Sequence, residues 1–112
     1  MTVVMETRRY ISAGGRDVVG EWLSGLKDAR ARARIAVRID RVEAGNFGDC
    51  KSLREGVWEM RIDYGPGYRV YYGMLGRHCV LLLCGADKRK QTSDIARAVE
   101  YFREYRNRVR EP

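Results

Sequence analysis

Two arginines, two carboxylates and a phenol fall at alternating positions around one bend of the chain. The stretch Gly56-Val57-Trp58-Glu59-Met60-Arg61-Ile62-Asp63-Tyr64 alternates apolar with polar residues, and so does Tyr68-Arg69-Val70-Tyr71 beyond the turn Gly65-Pro66-Gly67. Period-two alternation marks a half-buried strand, so the two runs read as a β-hairpin. With Trp58, Met60, Ile62, Tyr64, Tyr68, Val70, Tyr72 and Met74 facing a core, Glu59, Arg61, Asp63, Arg69 and Tyr71 share the open face. A three-residue loop sets Asp63 opposite Arg69 and Arg61 opposite Tyr71; a five-residue loop keeps the faces and sets Arg61 opposite Arg69. Either register makes a patch suited to phosphate, because a guanidinium offers forked donors to an oxyanion. The plainer reading is that Arg61 and Arg69 pair with Glu59, Asp63 and Tyr71, which would stabilise a hairpin by a few tenths to ~1 kcal/mol per pair with no ligand at all.

The rest of the composition points the same way. A chain of 112 residues suffices for one domain and one core. Its 22 Lys and Arg against 15 Asp and Glu give a net charge of +7. That balance favours a polyanionic partner, whether RNA, DNA or an acidic protein, since each cation that meets a phosphate releases condensed counterions. Met1 to Tyr10 mixes Glu6, Arg8 and Arg9 into what an export signal would keep apolar, and no run approaches the ~18 apolar residues of a membrane span. Cys50, Cys79 and Cys84 are odd in number and fit no disulfide framework or C-x-x-C pair, which makes a reducing cytoplasm the expected home. They read as two strand cysteines and one loop cysteine rather than a zinc site with His78, itself a surface residue of the turn Gly76-Arg77-His78. No metal or other cofactor is expected.

The elements that must position the patch are legible around it. Val3 to Ile11 reads as a strand, with Val3, Met5 and Thr7 on one face and Val4, Glu6 and Arg8 on the other. After Gly14-Gly15, the residues Val18, Val19, Trp22, Leu23 and Leu26 recur at helical spacing, ending near Gly25 to Asp28. A second helix runs to about Ala44, with Ala29, Ala33, Ile35, Ala36, Ile39 and Val42 as its inward surface and Gly45 as its stop. It also carries Arg30, Arg32, Arg34, Arg38 and Arg41, either a solvated face or a docking surface for phosphates or an acidic segment. Asn46-Phe47-Gly48-Asp49-Cys50 is turn chemistry. Val80-Leu81-Leu82-Leu83-Cys84 lacks alternation and reads as a central strand covered on both faces. A last helix roofs it, capped by Thr92 or Ser93, with Asp94 in its first turn, Ile95, Ala98, Val99 and Phe102 as its stripe, and a frayed basic end at Arg103, Arg106, Arg108 and Arg110. The order is strand, two helices, three antiparallel strands and a closing helix, an α+β domain spanning residues 1–112. Gly65-Pro66-Gly67 lacks the helix and lysine of a nucleotide-binding loop.

Trp22-Leu23, Arg38-Ile39-Asp40-Arg41, Gly45-Asn46-Phe47-Gly48-Asp49, Gly56 to Arg61, Gly65 to Tyr72 and Gly85 to Ile95 resemble the RelE/ParE superfamily of bacterial toxins, and within it the addiction-module killer proteins related to HigB. The resemblance implies one sheet in which the first strand joins the three-stranded meander. It also implies a type II toxin that works with a helix-turn-helix antitoxin. RelE-like members cut mRNA on the ribosome, without metal, by turning a ribose 2′-hydroxyl onto the adjacent phosphate, which needs a base, cations for the phosphorane and an acid for the leaving oxygen. By resemblance Arg69, Arg61 and Lys88 fall where such toxins place cations, and Glu59 would join them as base, with Asp49 as a second candidate. Arg89, Lys90, Tyr71 and Lys51 would hold RNA, and Arg34, Arg38 and Arg41 would meet the antitoxin.

The chain departs from the RelE pattern in carrying Glu59 in place of a second strand lysine and Ile95 in place of a tyrosine opening the last helix. The competing expectations are a ParE-like inhibitor of DNA gyrase with no chemistry of its own, and a basic RNA-binding module with no antitoxin. A gyrase binder needs no acid, base and cation on one patch, which favours the nuclease.

Overall fold

The computed structural model describes residues 4–87 and 91–110; Val3, Lys88, Arg89 and Lys90 lie outside them. Five strands and three helices follow in the order β1 (Glu6–Arg9), α1 (Val18–Gly25), α2 (Ala29–Glu43), β2 (Cys50–Ser52), β3 (Val57–Ile62), β4 (Tyr68–Met74), β5 (Cys79–Asp87) and α3 (Gln91–Arg110). One mixed sheet runs β1-β5-β4-β3-β2. Only the β1–β5 pair is parallel, as expected where two helices intervene before the chain returns to the sheet.

The helices start and stop where their caps dictate. Asp17 accepts from the Gly20 backbone N–H to open α1, and Asp28 accepts from those of Arg30 and Ala31 to open α2. At the end of α2, Gly45 donates to Val42 and Asn46 to Arg41, the paired carbonyl contacts that a left-handed glycine permits, and Gly45 has φ +87°. The inward stripe of α2 is Ala31, Ile35 and Val42 with Ile39 partly covered. Ala29, Ala33 and Ala36, expected inward, face solvent, because the axis is set by the larger Ile35 and Val42.

Helices α1 and α2 cover Met60, Ile62, Tyr68, Val70, Tyr72 and Leu82 on one face of the sheet. On the other, α3 covers Val57, Tyr71, Leu81, Leu83 and Cys84 with Ala98, Val99 and Phe102. A bulge opposite Tyr71/Tyr72 lets β5 turn both Leu83 and Cys84 to α3. Phe102 lies where β4 carries Gly73, on which a Cβ would come within 2.5 Å of the ring.

Several boundaries differ from expectation. The first strand is ordered as strand only over Glu6–Arg9, and residue Cys50 opens an extra edge strand, β2, in place of the expected loop. Thr92 and Ser93 lie inside α3 rather than capping it. The basic end of α3 is not frayed: it remains helical to Arg110, because Arg103 pairs with Glu55 at 2.9 Å, Arg106 lies 4.2 Å over the Phe102 ring and Arg108 donates to the Ile11 carbonyl at 2.7 Å. Among the described residues no helix is long and apolar enough to cross a membrane.

Candidate active site

The β3–β4 register is the one that a five-residue loop dictates, with Ile62 opposite Tyr68 and Arg61 opposite Arg69. Inside the loop Gly67 donates to the Tyr64 carbonyl at 3.0 Å. Strand pairing then lays two rows of side chains on the α3 face. Lys51, Glu59, Tyr71 and Cys84 stand in register across β2, β3, β4 and β5. One step along, Arg61 and Arg69 stand side by side, and Asp49 holds the β3 edge by accepting the Arg61 backbone N–H.

Two guanidiniums directly opposite each other repel, and Glu59 is what makes the arrangement tolerable. Its Oε2 lies 3.2 Å from Arg69 Nε and its Oε1 lies 3.9 Å from Arg61 Nε. Asp49 Oδ1 takes Arg61 Nη2 at 2.9 Å from the outer side. The patch grades from closed to open: the Glu59 side chain is 1% exposed, Arg69 12% and Arg61 42%. Glu59 and Tyr71 were expected on an open face, and both are sealed, because α3 closes over that end of β4 and β5.

Four buried polar atoms at this centre make no hydrogen bond among the described residues: Arg61 Nε, Arg69 Nε, Arg69 Nη1 and the Tyr71 hydroxyl. Arg69 Nε is near enough to Glu59 to pair as a charge, but its N–H is not aligned on the oxygen. An unsatisfied buried donor costs about 1–3 kcal/mol, so the fold holds these groups ready for an acceptor. Burial, reinforced by the Glu59 charge and opposed by Arg69, pushes the Tyr71 phenol far above its ordinary range and keeps it a donor. A depression of about 390 Å³ opens beside the arginines, lined by Asp49, Arg61, Ile62, Asp63, Gly67, Tyr68 and Arg69. Glu59 and Tyr71 lie behind this lining. Two guanidiniums and a solvent-facing carboxylate around one hollow fit a phosphodiester.

Lys51 is exposed on the edge strand, in register with Glu59. Lys88, Arg89 and Lys90 fall between β5 and α3, outside the described residues. Asp94 belongs to the surroundings of this centre and was not singled out as a site residue. It is 7% exposed, pairs with Arg97 at 3.2 Å and adds its charge to the field at Tyr71. The signal was present, since Asp94 precedes Ala98 by one turn on the inward stripe of α3.

The arginines of α2 lie on the other side of the sheet. Arg34, Arg38 and Arg41 line a groove of about 660 Å³ with Arg30, Ala33, Val37, Ile62 and Asp63. Arg38 is also a strut, donating to the backbone carbonyls of Arg61, Phe47 and Asp49 and so holding both arms of the Arg61–Asp49 pair. Among the described residues, no group of three or more His, Cys, Asp and Glu side chains is placed to hold a metal ion.

A sequence model of the family described as phage-derived protein Gp49-like (DUF891) matches residues 21–104, which take in the whole arginine patch and the α2 groove. The chain is also 53% identical over 77 residues to a Haemophilus influenzae protein described as uncharacterized, an alignment covering 69% of this chain and 78% of that one.

Proposed function

The chain belongs to the phage-derived Gp49-like family, and on that premise we propose that it is the toxin of a type II toxin–antitoxin pair, a HigB-like member of the RelE/ParE superfamily that cuts ribosome-bound mRNA without metal. The observation that carries this reading is the Arg61–Arg69 pair on the wall of a hollow that Asp49 also lines. The α+β sheet with two helices on one face and one on the other is consistent with it.

The chemistry is transfer of a phosphoryl group within the RNA. Removal of the 2′-hydroxyl proton lets that oxygen bond to the adjacent phosphorus, and the bond to the 5′ oxygen of the next nucleotide breaks as that oxygen takes a proton from water in the open hollow. The products are a 2′,3′-cyclic phosphate and a 5′-hydroxyl end. Arg69 and Arg61 hold the non-bridging oxygens and stabilise the charge that builds on the phosphorane. Asp49, which lines the hollow and faces solvent, takes the 2′ proton in this reading. Glu59 is sealed behind the arginines and acts as a positioning residue that fixes both guanidiniums. Lys51, at the exposed edge, adds a phosphate contact. A helix-turn-helix antitoxin holds the toxin inactive until it is removed.

The test is primer extension on a defined message incubated with the purified chain, with and without ribosomes. Cleavage only when ribosomes are present, lost in Asp49→Asn, supports the assignment. Intact message together with stalled gyrase–DNA complexes would replace it with gyrase inhibition.

A further inference from the structure

The outer face of α2 is built as a receptor. Arg30, Ala33, Arg34, Val37, Arg38 and Arg41 follow at i, i+3, i+4, i+7, i+8 and i+11, one unbroken stripe about 16 Å long by helical rise. Ile62 and Asp63 at the end of β3 form the facing wall. Val37 sits at the middle of the stripe and is 46% exposed, one of the few large apolar side chains left open among the described residues.

The arginines around it are short of intramolecular acids. Among the described residues no carboxylate pairs with Arg30, Arg34 or Arg41, whereas Arg8, Arg9, Arg16, Arg54, Arg61, Arg69, Arg97, Arg103 and Arg108 all have one. Arg34 instead lies 4.9 Å over the Tyr64 ring, which holds its guanidinium on the groove side of the hairpin loop.

We propose that this groove receives an acidic amphipathic segment of a partner protein, with one apolar side chain seated on Val37, Ala33 and Ile62 and carboxylates meeting Arg30, Arg34 and Arg41. Charge complementarity selects an acidic occupant, and the aliphatic floor selects a protein over RNA. Single-stranded RNA is held by stacking its bases on aromatic faces, and none lines this groove. The identification of that partner as the antitoxin rests on the toxin reading; the chemistry of the docking does not.

Position gives the contact a consequence. Ile62 and Asp63 also line the hollow beside Arg69, so a segment in the groove ends at the mouth of the active site. Arg38 touches both, through the groove wall and through the carbonyls it holds at Arg61 and Asp49.

The experiment uses the full chain and a fluorescein-labelled 16-residue peptide with leucine at every third or fourth position and glutamate elsewhere, followed by fluorescence anisotropy. A peptide of the same composition with its leucines off that spacing and a 12-nucleotide oligouridylate serve as competitors. Binding at least about tenfold tighter than the scrambled peptide, weakened about tenfold or more by Val37→Glu and by the double variant Arg34→Glu/Arg41→Glu, supports the proposal. The double variant Arg77→Glu/Arg110→Glu, with the same change in charge, should bind as the parent does. Equal affinity for the scrambled peptide, no binding, or displacement by the oligouridylate that depends on Arg34 and Arg41 overturns it. Growth arrest on expression of the parent chain is scored separately. Its absence overturns the toxin reading and leaves the docking result standing.

Discussion

Arg61 stands directly opposite Arg69 across the β3–β4 pair, and Glu59, two residues before Arg61 on the same strand, reaches both guanidiniums at 3.9 and 3.2 Å. A hairpin selected for stability alone would place opposite charges there. The observed arrangement keeps two cations adjacent, sets sealed Glu59 and exposed Asp49 beside them, and among the described residues leaves three of their N–H groups without an aligned acceptor. Such a centre carries a cost that a hairpin built for pairing alone would avoid.

Arg69→Ala should abolish growth arrest while the protein still unfolds in one cooperative step. The side chain is 12% exposed and pairs with a carboxylate at 1%, so the substitution should lower stability by about 3 kcal/mol, the low end for a broken buried pair because Arg61 remains beside Glu59. Arg69→Lys should recover part of that stability but little activity, since an ammonium lacks the fork. Urea denaturation with plating after induction measures both. A variant that does not fold would show Arg69 to be structural.

Tyr71→Phe separates function from packing more sharply. The phenol is fully buried and its hydroxyl has no hydrogen-bond partner among the described residues, so removing the oxygen should leave stability unchanged or raise it by up to about 1 kcal/mol. The phenol lies behind the arginines and does not line the hollow, so cleavage should keep the parent's rate against that stable background. A loss of more than about 1 kcal/mol would reveal an acceptor that holds it in the free protein.

The sequence revealed faces better than covers. The alternation from Trp58 to Tyr64 assigned each hairpin side chain to its side of the sheet, and the run Val80 to Cys84 announced a strand roofed on both faces; both hold. Alternation does not say what lies above a face. Glu59 and Tyr71 were therefore expected in the open, although α3 seals them. Register stayed undecided between two loop lengths because both keep the same faces, and a hydrogen bond inside the loop, Gly67 to Tyr64, accompanies the longer one. Strand β2 has three residues, too few for any period to show. Asp94 was read only as a first-turn residue of α3, since its burial depends on how α3 docks.

Gly85→Ala tests that docking on the opposite face. A Cβ at Gly85 would collide with the Trp22 ring of α1, which packs flat against the β5 backbone. The indole cannot retreat without opening the core between α1 and the sheet, so the variant should lose about 1–3 kcal/mol in urea denaturation. Gly25→Ala, at the solvent end of α1 with nothing within 4 Å, should cost well under that.

Cys84 reports whether α3 lies closed over the patch. It is opposite Tyr71 in register and fully buried, and its thiol is pushed up to about 11, chiefly by burial and against the pull of Arg97. The nucleophile is the thiolate, and a raised pKa leaves little of it at pH 8; the reactive fraction grows only as pH climbs toward that value. Native protein at pH 8 should therefore leave Cys84 unlabelled by iodoacetamide after partly exposed Cys50 has reacted, with all three thiols reacting in denaturant. Arg97→Ala should slow Cys84 further at fixed pH, because the opposing cation is gone. Mass mapping of the alkylated peptides gives both results. Labelling of Cys84 at the rate of Cys50 in the native protein would mean that α3 stands open often enough to expose Glu59 and Tyr71, and would return Glu59 to candidacy as the base.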